Sequence, residues 1–516
     1  MVILLFVCLV FLVCIQGGFY AQSYIVCGIA CCIGCMIKQK KAVLSYEVII
    51  LAVIAAMYLI SVMANGISYS SLSSGLLTAV MLMIAIIYGF LCGEEKSKLI
   101  SCIAIFGVIS SIVAIILYTD VIHTVGAVSN GRLAFTFQYA NAAGVWFAVS
   151  FLLSFFSKIK YIRYLSVFCF FALVVTKSAG ALIVLSVLFS VHLFKSGYYK
   201  RAGKRGRAGI LTVYITEILV ALIVIIMRGS SILYTFAERF IHCYDGFKVI
   251  KESPLCGIGA SEWQYVFPYY QLAQYLANVI HNSYVQAGVD AGIIVMALLT
   301  ALLILSIYKY FKNENIAELC AVYILMHSVV DYDLRFSSLY MLLVIFMTYK
   351  PYQVKRVYIN KKVVSGISLA LSLALCFSMY GVNQVKALEN GVKNGNQRSV
   401  EKIFDKNHMF MKNGYRENEA LGTVLCFNGQ DISGIRKKSA RLAMYEVITK
   451  ESCSIDEVIA LVNSQPYNTV VLEETKSLII QNYTDKEKEE YGKCIAGINE
   501  TLYKWPASLL NNQKEY

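Results

Sequence analysis

The sequence predicts an all-α protein, a polytopic membrane helix bundle followed by a small helical domain outside the membrane. Of its 516 residues, 58% are hydrophobic and only 15% are charged, whereas soluble domains carry about 25% charged residues. Apolar runs long enough to span a bilayer recur through residues 1–382, and residues 383–516 are charge-rich. This composition excludes a soluble globular enzyme, a disordered protein and a small disulfide scaffold.

The apolar runs predict about thirteen membrane spans. They cover residues 2–15, 23–37, 43–64, 75–92, 98–118, 140–157, 161–176, 178–194, 208–227, 283–308, 316–330, 336–350 and 363–381. We interpret the first run as an uncleaved span rather than a signal peptide, because it lacks a basic segment at its start.

Positive charge predicts the orientation of the bundle. The net charge is +14, and residues 383–516 contain 18 basic and 18 acidic residues, so the excess lies in residues 1–382. There it is concentrated in short loops, which is the positive-inside pattern and not the basic face of a nucleic-acid binder. The clusters are Lys38/Lys40/Lys41, Lys96/Lys98, Lys158/Lys160/Arg163, Lys195/Lys200/Arg201/Lys204/Arg205/Arg207, Lys309/Lys312 and Lys350/Lys355/Arg356/Lys361/Lys362. All of them face the cytoplasm if the N-terminus is cytoplasmic and the C-terminal domain extracytoplasmic.

Two outer loops are longer than simple connections, residues 119–140 and 228–282. A loop as long as the second is usually functional. It begins with an amphipathic helical pattern, which favours a helix lying along the membrane surface; the apolar positions are Phe236, Phe240, Cys243, Phe247 and Ile250. A dense set of aromatic residues follows, comprising Trp263, Tyr265, Phe267, Tyr269, Tyr270 and Tyr275. We interpret them as a membrane interface belt, with stacking on sugar rings as the alternative.

Residues 383–516 predict an all-helical domain. Helical periodicity covers 397–412, 434–450 and 454–463, and Gln465–Asn468 marks a turn. A clear 34-residue repeat is not visible, so a repeat-like arrangement stays open.

Three charged or polar side chains on the predicted outer side are functional candidates, because such groups are costly beside a membrane. Arg132 precedes the span that opens with Asn141, Arg239 lies on the amphipathic helix, and His281 ends the long loop. Two guanidiniums suit bidentate binding of a diphosphate, and a neutral imidazole accepts a proton. The alternatives are arginines that reach lipid headgroups and a histidine that caps a helix.

Four short segments of the chain resemble motifs of the O-antigen ligase and polymerase superfamily of bacterial envelope glycosyltransferases. In order, they are Gly131–Arg132 to Asn141, Ala237–Phe240 with Ser253–Gly259, His281–Asn282 with Gly292, and His327–Ser328 with Asp331 and Asp333. The pattern departs from the family at Val295, where a second glycine is common. It departs again at Thr176–Gly180, where Lys177 is a nearby cation in place of the family's arginine.

The resemblance implies a metal-independent glycosyltransferase of the multi-helix, lipid-phosphate-dependent type, without a cofactor. It would move a glycan from an undecaprenyl-diphosphate carrier to a hydroxyl of a glycan, lipid or protein acceptor. The family's roles would make Arg132 and Arg239 the diphosphate ligands and His281 the catalytic residue. The supporting candidates are Asn141, Lys177, Asn282, His327 and Asp331. Ligase and polymerase chemistry are not separated by these residues.

Asp331–Tyr332–Asp333 also reads as the DxD of metal-dependent transferases. We favour a polar network, with Arg335 as a partner and His327 one turn earlier on the same helix face. No metal site is predicted, either here or at the cysteines of residues 31–35.

Two other functional classes stay open for the whole chain. One is a secondary transporter or flippase, although no repeated pair of interrupted spans is visible. The other is a sensor or scaffold.

Overall fold

The computed structural model describes residues 1–38, 42–201, 203–350, 353–450 and 453–502, and the regular secondary structure of this part is almost entirely helical. The helices are α1 Val2–Cys14, α2 Ala21–Lys38, α3 Tyr46–Ala64, α4 Tyr69–Gly89, α5 Gly93–Tyr118, α6 Ala140–Phe155, α7 Lys160–Val175, α8 Ala179–Lys195, α9 Tyr198–Arg201, α10 Lys204–Arg228, α11 Ser230–Glu252, α12 Trp263–Val266, α13 Ser283–Ala291, α14 Ile293–Asn313, α15 Ile316–His327, α16 Ser337–Met347, α17 Lys361–Lys393, α18 Gln397–Lys406, α19 His408–Met411, α20 Tyr415–Phe427, α21 Ala440–Ile448, α22 Ile455–Ser464, α23 Thr469–Asn482 and α24 Asp485–Leu502. The strands are β1 Ala42–Ser45, β2 Val128–Ser129, β3 Arg132–Leu133 and β4 Gln353–Ile359, paired antiparallel as β1–β4 and β2–β3. The predicted all-α class is confirmed.

The predicted apolar runs coincide with helices of the bundle. Among the described residues, seven helices are long and apolar enough to cross a membrane, namely α2, α3, α4, α5, α10 from Gly206, α14 and α17. Shorter apolar helices are α1, α6, α8, α15 and α16. Residues 39–41, with two lysines of the first basic cluster, lie outside the described residues.

Two helices form the centre of the bundle. Every residue of α6 and every residue of α16 is buried, as expected for helices that are apolar on all sides. Helix α6 begins beside the connection between α15 and α16, so the start of one central helix and the entry to the other lie close together.

The long loop and the C-terminal helices lie at the same end of the bundle. Asn65 at the end of α3 donates to the Gly257 carbonyl of the loop, at 3.2 Å, and its own carbonyl accepts from Lys437, at 2.9 Å. Ser70 in α4 donates through its backbone N–H and its hydroxyl to Glu417, at 3.1 and 2.9 Å. This end is called the loop end below.

Helix α17 connects the bundle to the C-terminal helices without a break. The predicted boundary between residues 382 and 383 lies inside it, and its last part packs with α18 and α20 around Leu388 and Val400. Helices α21–α24 form a second small core that includes Val458 and Val462. The division at residue 383 stays a prediction, and residues 503–516 lie outside the described residues.

Two of the predicted cytoplasmic lysines meet at the opposite end. Lys96 donates to the carbonyls of Thr348 and Tyr349, at 3.3 and 3.4 Å, and Lys309 donates to the carbonyl of Met347. These carbonyls end α16, where positive charge is favourable. Lys309 also forms a buried ion pair with Glu47, at 2.6 Å.

The predicted span 283–308 is divided into two helices, because the chain breaks at Gly292. This residue has φ +95°, and the carbonyl oxygen of Leu255 would lie 2.2 Å from a Cβ atom there. The segment 253–259 passes against the break, where the N–H of Ile293 donates to the carbonyl of Pro254, at 2.8 Å. The break ends α13 against the long loop, where the N–H of Ile258 donates to the carbonyl of Val289, at 2.9 Å.

We expect Gly292→Ala to destabilise the protein, because a side chain at this backbone angle is strained by about 1–3 kcal/mol and also collides with backbone. The measurement is thermal unfolding of the detergent-purified chain, in which the variant should have a lower Tm. Gly366→Ala is the matched control, since a Cβ at that helical position meets nothing within 4 Å; its Tm should be unchanged or slightly higher. Equal Tm values for the two variants would contradict the role of Gly292.

Candidate functional site

A buried carboxylate, that of Asp331, lies at the centre of the site. It accepts hydrogen bonds from the Tyr139 hydroxyl at 2.8 and 3.0 Å, the Asn141 amide at 2.7 Å and Nη2 of Arg239 at 3.1 Å. The side chain of Asp331 is fully buried, and that of Arg239 is 19% exposed. Burial alone would raise the pKa of Asp331, but the positive charge of Arg239 lowers it below its usual value. The carboxylate therefore stays ionised.

Three separate parts of the chain supply these groups. Tyr139 and Asn141 begin α6, Arg239 lies on α11, and Asp331 lies in the turn between α15 and α16. The turn is attached to the start of α13, because Ser283 donates its hydroxyl to the Asp331 carbonyl at 3.0 Å and its N–H to the Ser328 carbonyl at 2.9 Å. The site thus depends on the packing of four elements.

Arg132 reaches the same network from the hairpin β2–β3. Asn130 and Gly131 form its two-residue turn, both with positive φ (51° and 65°), as expected for an Asn-Gly hairpin. The guanidinium donates to the Asn141 side-chain oxygen at 2.7 Å and to the Thr176 carbonyl at 2.9 Å. Asn141 therefore links Arg132 to Asp331, and through it to Arg239.

A third guanidinium, that of Arg228 at the end of α10, belongs to the group. Burial lowers the pKa of Arg132, and the positive charges of Arg228 and Arg239 lower it further. Arg228 donates to the Thr235 hydroxyl at 3.3 Å. The sequence pattern did not single out Arg228, because Arg228 is the first residue of the predicted long loop 228–282. Its position directly after the run 208–227 was the available signal.

Arg228 and Arg239 line a cavity of about 190 Å³, here named the arginine cavity. Its polar wall also contains Asn141 and His327. The rest of its wall is mainly apolar side chains of α8, α10 and α11, comprising Ile183, Val184, Ile225, Ile232 and Phe236. Ile183 and Phe236 are 41% and 59% exposed, so the apolar side reaches the surface of the bundle. The cavity suits an amphipathic anion.

His281 lies beside this network. Its ring contacts the Tyr332 ring edge to face at 5.0 Å and the His242 ring at 5.3 Å, and its Nδ1 is buried without a hydrogen-bond partner among the described residues. Burial lowers the pKa of His281; the charge of Arg239 also lowers it, and that of Asp331 raises it. Burial also lowers the pKa of His242, to about 3. Both imidazoles are therefore neutral near pH 7.

The remaining predicted residues lie around this centre. Asn282 caps α13, since its side-chain oxygen accepts from the N–H groups of Tyr284 and Val285 at 2.9 and 3.0 Å. His327 bonds Asp333 at 2.7 Å while lining the arginine cavity. Lys177, with φ +50°, lies beside Gly131, where a Cβ atom on the glycine would be 3.8 Å from the lysine Nζ. Lys177 is therefore next to Arg132 but does not line the cavity.

Two details of the predicted polar network were wrong. Asp331 pairs with Arg239 and not with Arg335, which lies over the Phe19 ring at 5.6 Å. Helix α15 ends at His327, so Asp331 is in the following turn and the two residues do not share a helix face.

The prediction of a membrane interface belt was also wrong for three of the aromatic residues. Trp263, Phe267 and Tyr275 are 1%, 6% and 8% exposed and belong to a separate small core. The Trp263 indole donates to the Ala277 carbonyl at 3.1 Å, and the Tyr275 hydroxyl donates to Asp245 at 2.8 Å. These side chains fold the long loop and so hold α11 and His281 in place.

We expect Asp331→Ala to lower the free energy of unfolding by about 3–5 kcal/mol, because Arg239 would lose its buried partner and three donors would lose their acceptor. Thermal unfolding in detergent measures this as a lower Tm. Glu489→Ala is the control, since the ion pair of Glu489 with Lys493 is 69% and 75% exposed and contributes little. A Tm for Asp331→Ala equal to that of the control would show that the network is not structural.

Residues 164–300 match the family model described as O-antigen ligase. The match contains Arg228, Arg239 and His281, whereas Arg132 and Asp331 lie outside it. No curated protein matches the chain. The family match confirms the resemblance to the O-antigen ligase and polymerase superfamily drawn from the four motifs. It supports a multi-pass membrane protein with a glycan-transfer role in surface polysaccharide assembly.

Proposed function

We propose that the chain transfers a glycan from an undecaprenyl-diphosphate carrier to an acceptor hydroxyl, on the extracytoplasmic side of the membrane. The observation that supports it is the grouping of three arginines and one compensating carboxylate at the polar end of an apolar cavity. In this proposal the loop end is extracytoplasmic, together with the C-terminal helices, and the N-terminus is cytoplasmic.

The charge of the group favours a diphosphate. Arg239 is neutralised by Asp331, whereas Arg132 and Arg228 donate to the neutral oxygens of Thr176, Asn141 and Thr235. Among the described residues, neither of these two arginines has an ion-pair partner. Two uncompensated guanidiniums match the charge of a diphosphate diester, with Arg239 as a third donor.

The apolar wall of the arginine cavity suits the polyprenyl tail. At about 190 Å³, the cavity holds only the first part of a tail. The remainder continues past the exposed Ile183 and Phe236 into the lipid, where each buried methylene contributes about 0.8 kcal/mol.

The reaction needs no protein group beyond the residues of this site. The acceptor oxygen attacks the anomeric carbon, the bond from this carbon to the diphosphate oxygen breaks, and the electron pair leaves with the diphosphate. The arginines stabilise the charge that develops on the leaving group. The acceptor proton passes to His281, whose lowered pKa keeps it neutral beforehand. The arginines provide the electrostatic stabilisation that a metal ion provides in other transferases, so the proposed chemistry is metal-independent.

We expect Arg239→Ala to lower the transfer rate by about 10²–10³-fold and His281→Ala by about 10²–10⁴-fold. The assay follows consumption of an undecaprenyl-diphosphate oligosaccharide by the purified chain, with and without chelator. Arg398→Ala and His123→Ala are matched controls, since both side chains are exposed, and they should retain normal rates.

Normal transfer by either site variant would overturn its assigned role. Loss of the wild-type rate with chelator would overturn the metal-independent mechanism. If the wild-type chain moves the intact lipid across a vesicle membrane and transfers no glycan, the chain is a flippase.

The pH dependence of transfer should report His281. Since its neutral form accepts the proton and its pKa is lowered, the rate should be constant near neutral pH. It should fall on acidification with a midpoint below about 6.5, the ordinary histidine value. Asp331 raises the pKa of His281, so Asp331→Asn should move the midpoint to still lower pH, whatever its effect on the maximal rate. A wild-type midpoint above 6.5, or a shift of the variant to higher pH, would contradict His281 as the base.

A further inference from the structure

A second large cavity lies between the bundle and the C-terminal helices. It has a volume of about 470 Å³ and is here named the junction cavity. Residues from α2, α4, α17 and α20 line it, together with the segment of the long loop around Tyr265 and with Arg335 from the turn before α16. It exists because α17 carries the C-terminal helices over the loop end of the bundle, and the arginine cavity shares no lining residue with it.

Two buried donors of this cavity lack partners. Nε of Arg335 and Nε2 of Gln22 are buried and have no hydrogen-bond partner among the described residues. A buried donor without an acceptor costs about 1–3 kcal/mol, and such groups at a cavity wall are expected where a ligand or water supplies the acceptor. The Arg335 guanidinium is held in place over the Phe19 ring, at 5.6 Å.

The charges lining the junction cavity favour an anion. Arg335, Lys386 and Arg416 are cationic, and Glu389 is the single carboxylate among the lining residues. Arg416 already pairs with Glu389 through Nε, at 2.7 Å. Arg335 and Lys386 therefore have no carboxylate partner among the residues that line the cavity. Arg335 also interacts with Asp290, which lines the adjoining narrow cavity and not the junction cavity, and whose carboxylate accepts from Gln286 at 2.8 Å.

The cavity also has the lining of a saccharide site. Rings of Phe19, Tyr20, Tyr24, Tyr69 and Tyr265 alternate with the hydroxyl and amide groups of Ser70, Ser73, Ser74, Gln22 and Gln264. Aromatic faces pack on the C–H faces of sugars, and hydroxyl and amide groups match their hydroxyls.

A narrow cavity of about 60 Å³ adjoins the junction cavity. It shares Ser74 and Arg335 with the junction cavity, and its wall includes Tyr332. The Tyr332 ring contacts the His281 ring. An acceptor in the junction cavity would thus approach the base along the wall that contains Tyr332, a residue that the arginine cavity does not share.

We propose that the junction cavity binds the acceptor, and that this acceptor is a saccharide carrying a carboxylate or a phosphate, which Arg335 and Lys386 recognise. This inference rests on the proposed function, because it takes the bound saccharide to be the nucleophile of that reaction.

Binding of the acceptor saccharide is measured separately from glycan transfer. The purified full chain in phosphatidylcholine nanodiscs is titrated with methyl β-glucuronide, glucose 6-phosphate and methyl β-glucoside, and binding is followed by saturation-transfer NMR. We expect one or both anionic probes to bind at least about tenfold more tightly than the neutral glucoside, which is the range of a charge-assisted hydrogen bond. The stronger of the two anionic probes identifies the carboxylate or the phosphate.

Arg335→Gln should remove this preference, and Lys386→Gln, at an exposed position, should reduce it with no change in Tm. The control Arg398→Gln should keep it. Binding of farnesyl diphosphate, which probes the arginine cavity, should be unchanged in all three variants. In the transfer assay, Arg335→Gln and Lys386→Gln should raise the KM for the acceptor and leave the KM for the carrier unchanged.

Equal binding of anionic and neutral probes by the wild type would overturn the inference, as would a preference that persists in both Arg335→Gln and Lys386→Gln. Either result, with transfer intact, would leave the proposed function standing. Selective binding of an anionic probe by a chain that transfers no glycan would overturn the proposed function and leave a saccharide-binding cavity.

Discussion

The geometry of the site depends on one buried negative charge, the carboxylate of Asp331. An ionised carboxylate taken out of water costs several kcal/mol unless hydrogen bonds and an opposite charge compensate it. Here the compensation comes from the start of α6 and from α11, and the backbone of the same turn is bonded to the start of α13. Because these elements all bond to one turn, the turn that carries the carboxylate links the positions of Arg132, Arg239 and His281.

The same carboxylate sets the charge available to a ligand. It neutralises one of the three guanidiniums and leaves the others with neutral acceptors. Because three uncompensated arginines would repel one another strongly, a single carboxylate lets them gather while an excess of positive charge is retained. It also opposes the effect of Arg239 on His281, so the pKa of the imidazole is lowered less than burial and Arg239 together would lower it.

The helices were predictable from the sequence because they depend on local pattern, and local pattern also made Arg132, Arg239 and His281 candidates for the site. Apolar runs of membrane length define helices without reference to the rest of the chain, and Asn130–Gly131 defines the hairpin that carries Arg132. The pairing of Asp331 was not predictable in the same way. Spacing along a continuous helix favours His327 and Arg335 as neighbours of Asp331. The chain turns after His327 instead, which brings Asp331 to a residue 92 positions away in sequence.

The aromatic residues of the long loop show the same limit of prediction from sequence. Their density is equally typical of a membrane interface and of a small core, and the choice depends on whether other apolar groups are available to cover them. Ile241, Val285 and Val289 do so, and those residues belong to α11 and α13, which only the folded chain brings beside the loop. A loop with its own core can hold a helix and a histidine rigidly, as positioning a reacting group requires.

The arginine cavity and the junction cavity share no lining residue, and the narrow cavity that adjoins the junction cavity is lined by Tyr332, which contacts His281. For the proposed reaction this separation has a chemical consequence. A transferase that works on a lipid-linked donor must keep water from the anomeric carbon, since water is a competing nucleophile. A carrier held from the bundle side and an acceptor held from the side of the C-terminal helices would close the reacting centre from both directions. Transfer would then require both substrates to be seated, because the narrow passage at Arg335 and Tyr332 stays open to water until an acceptor fills it. The C-terminal helices, which form one wall of the junction cavity, would in this way favour transfer over hydrolysis without contacting the carrier.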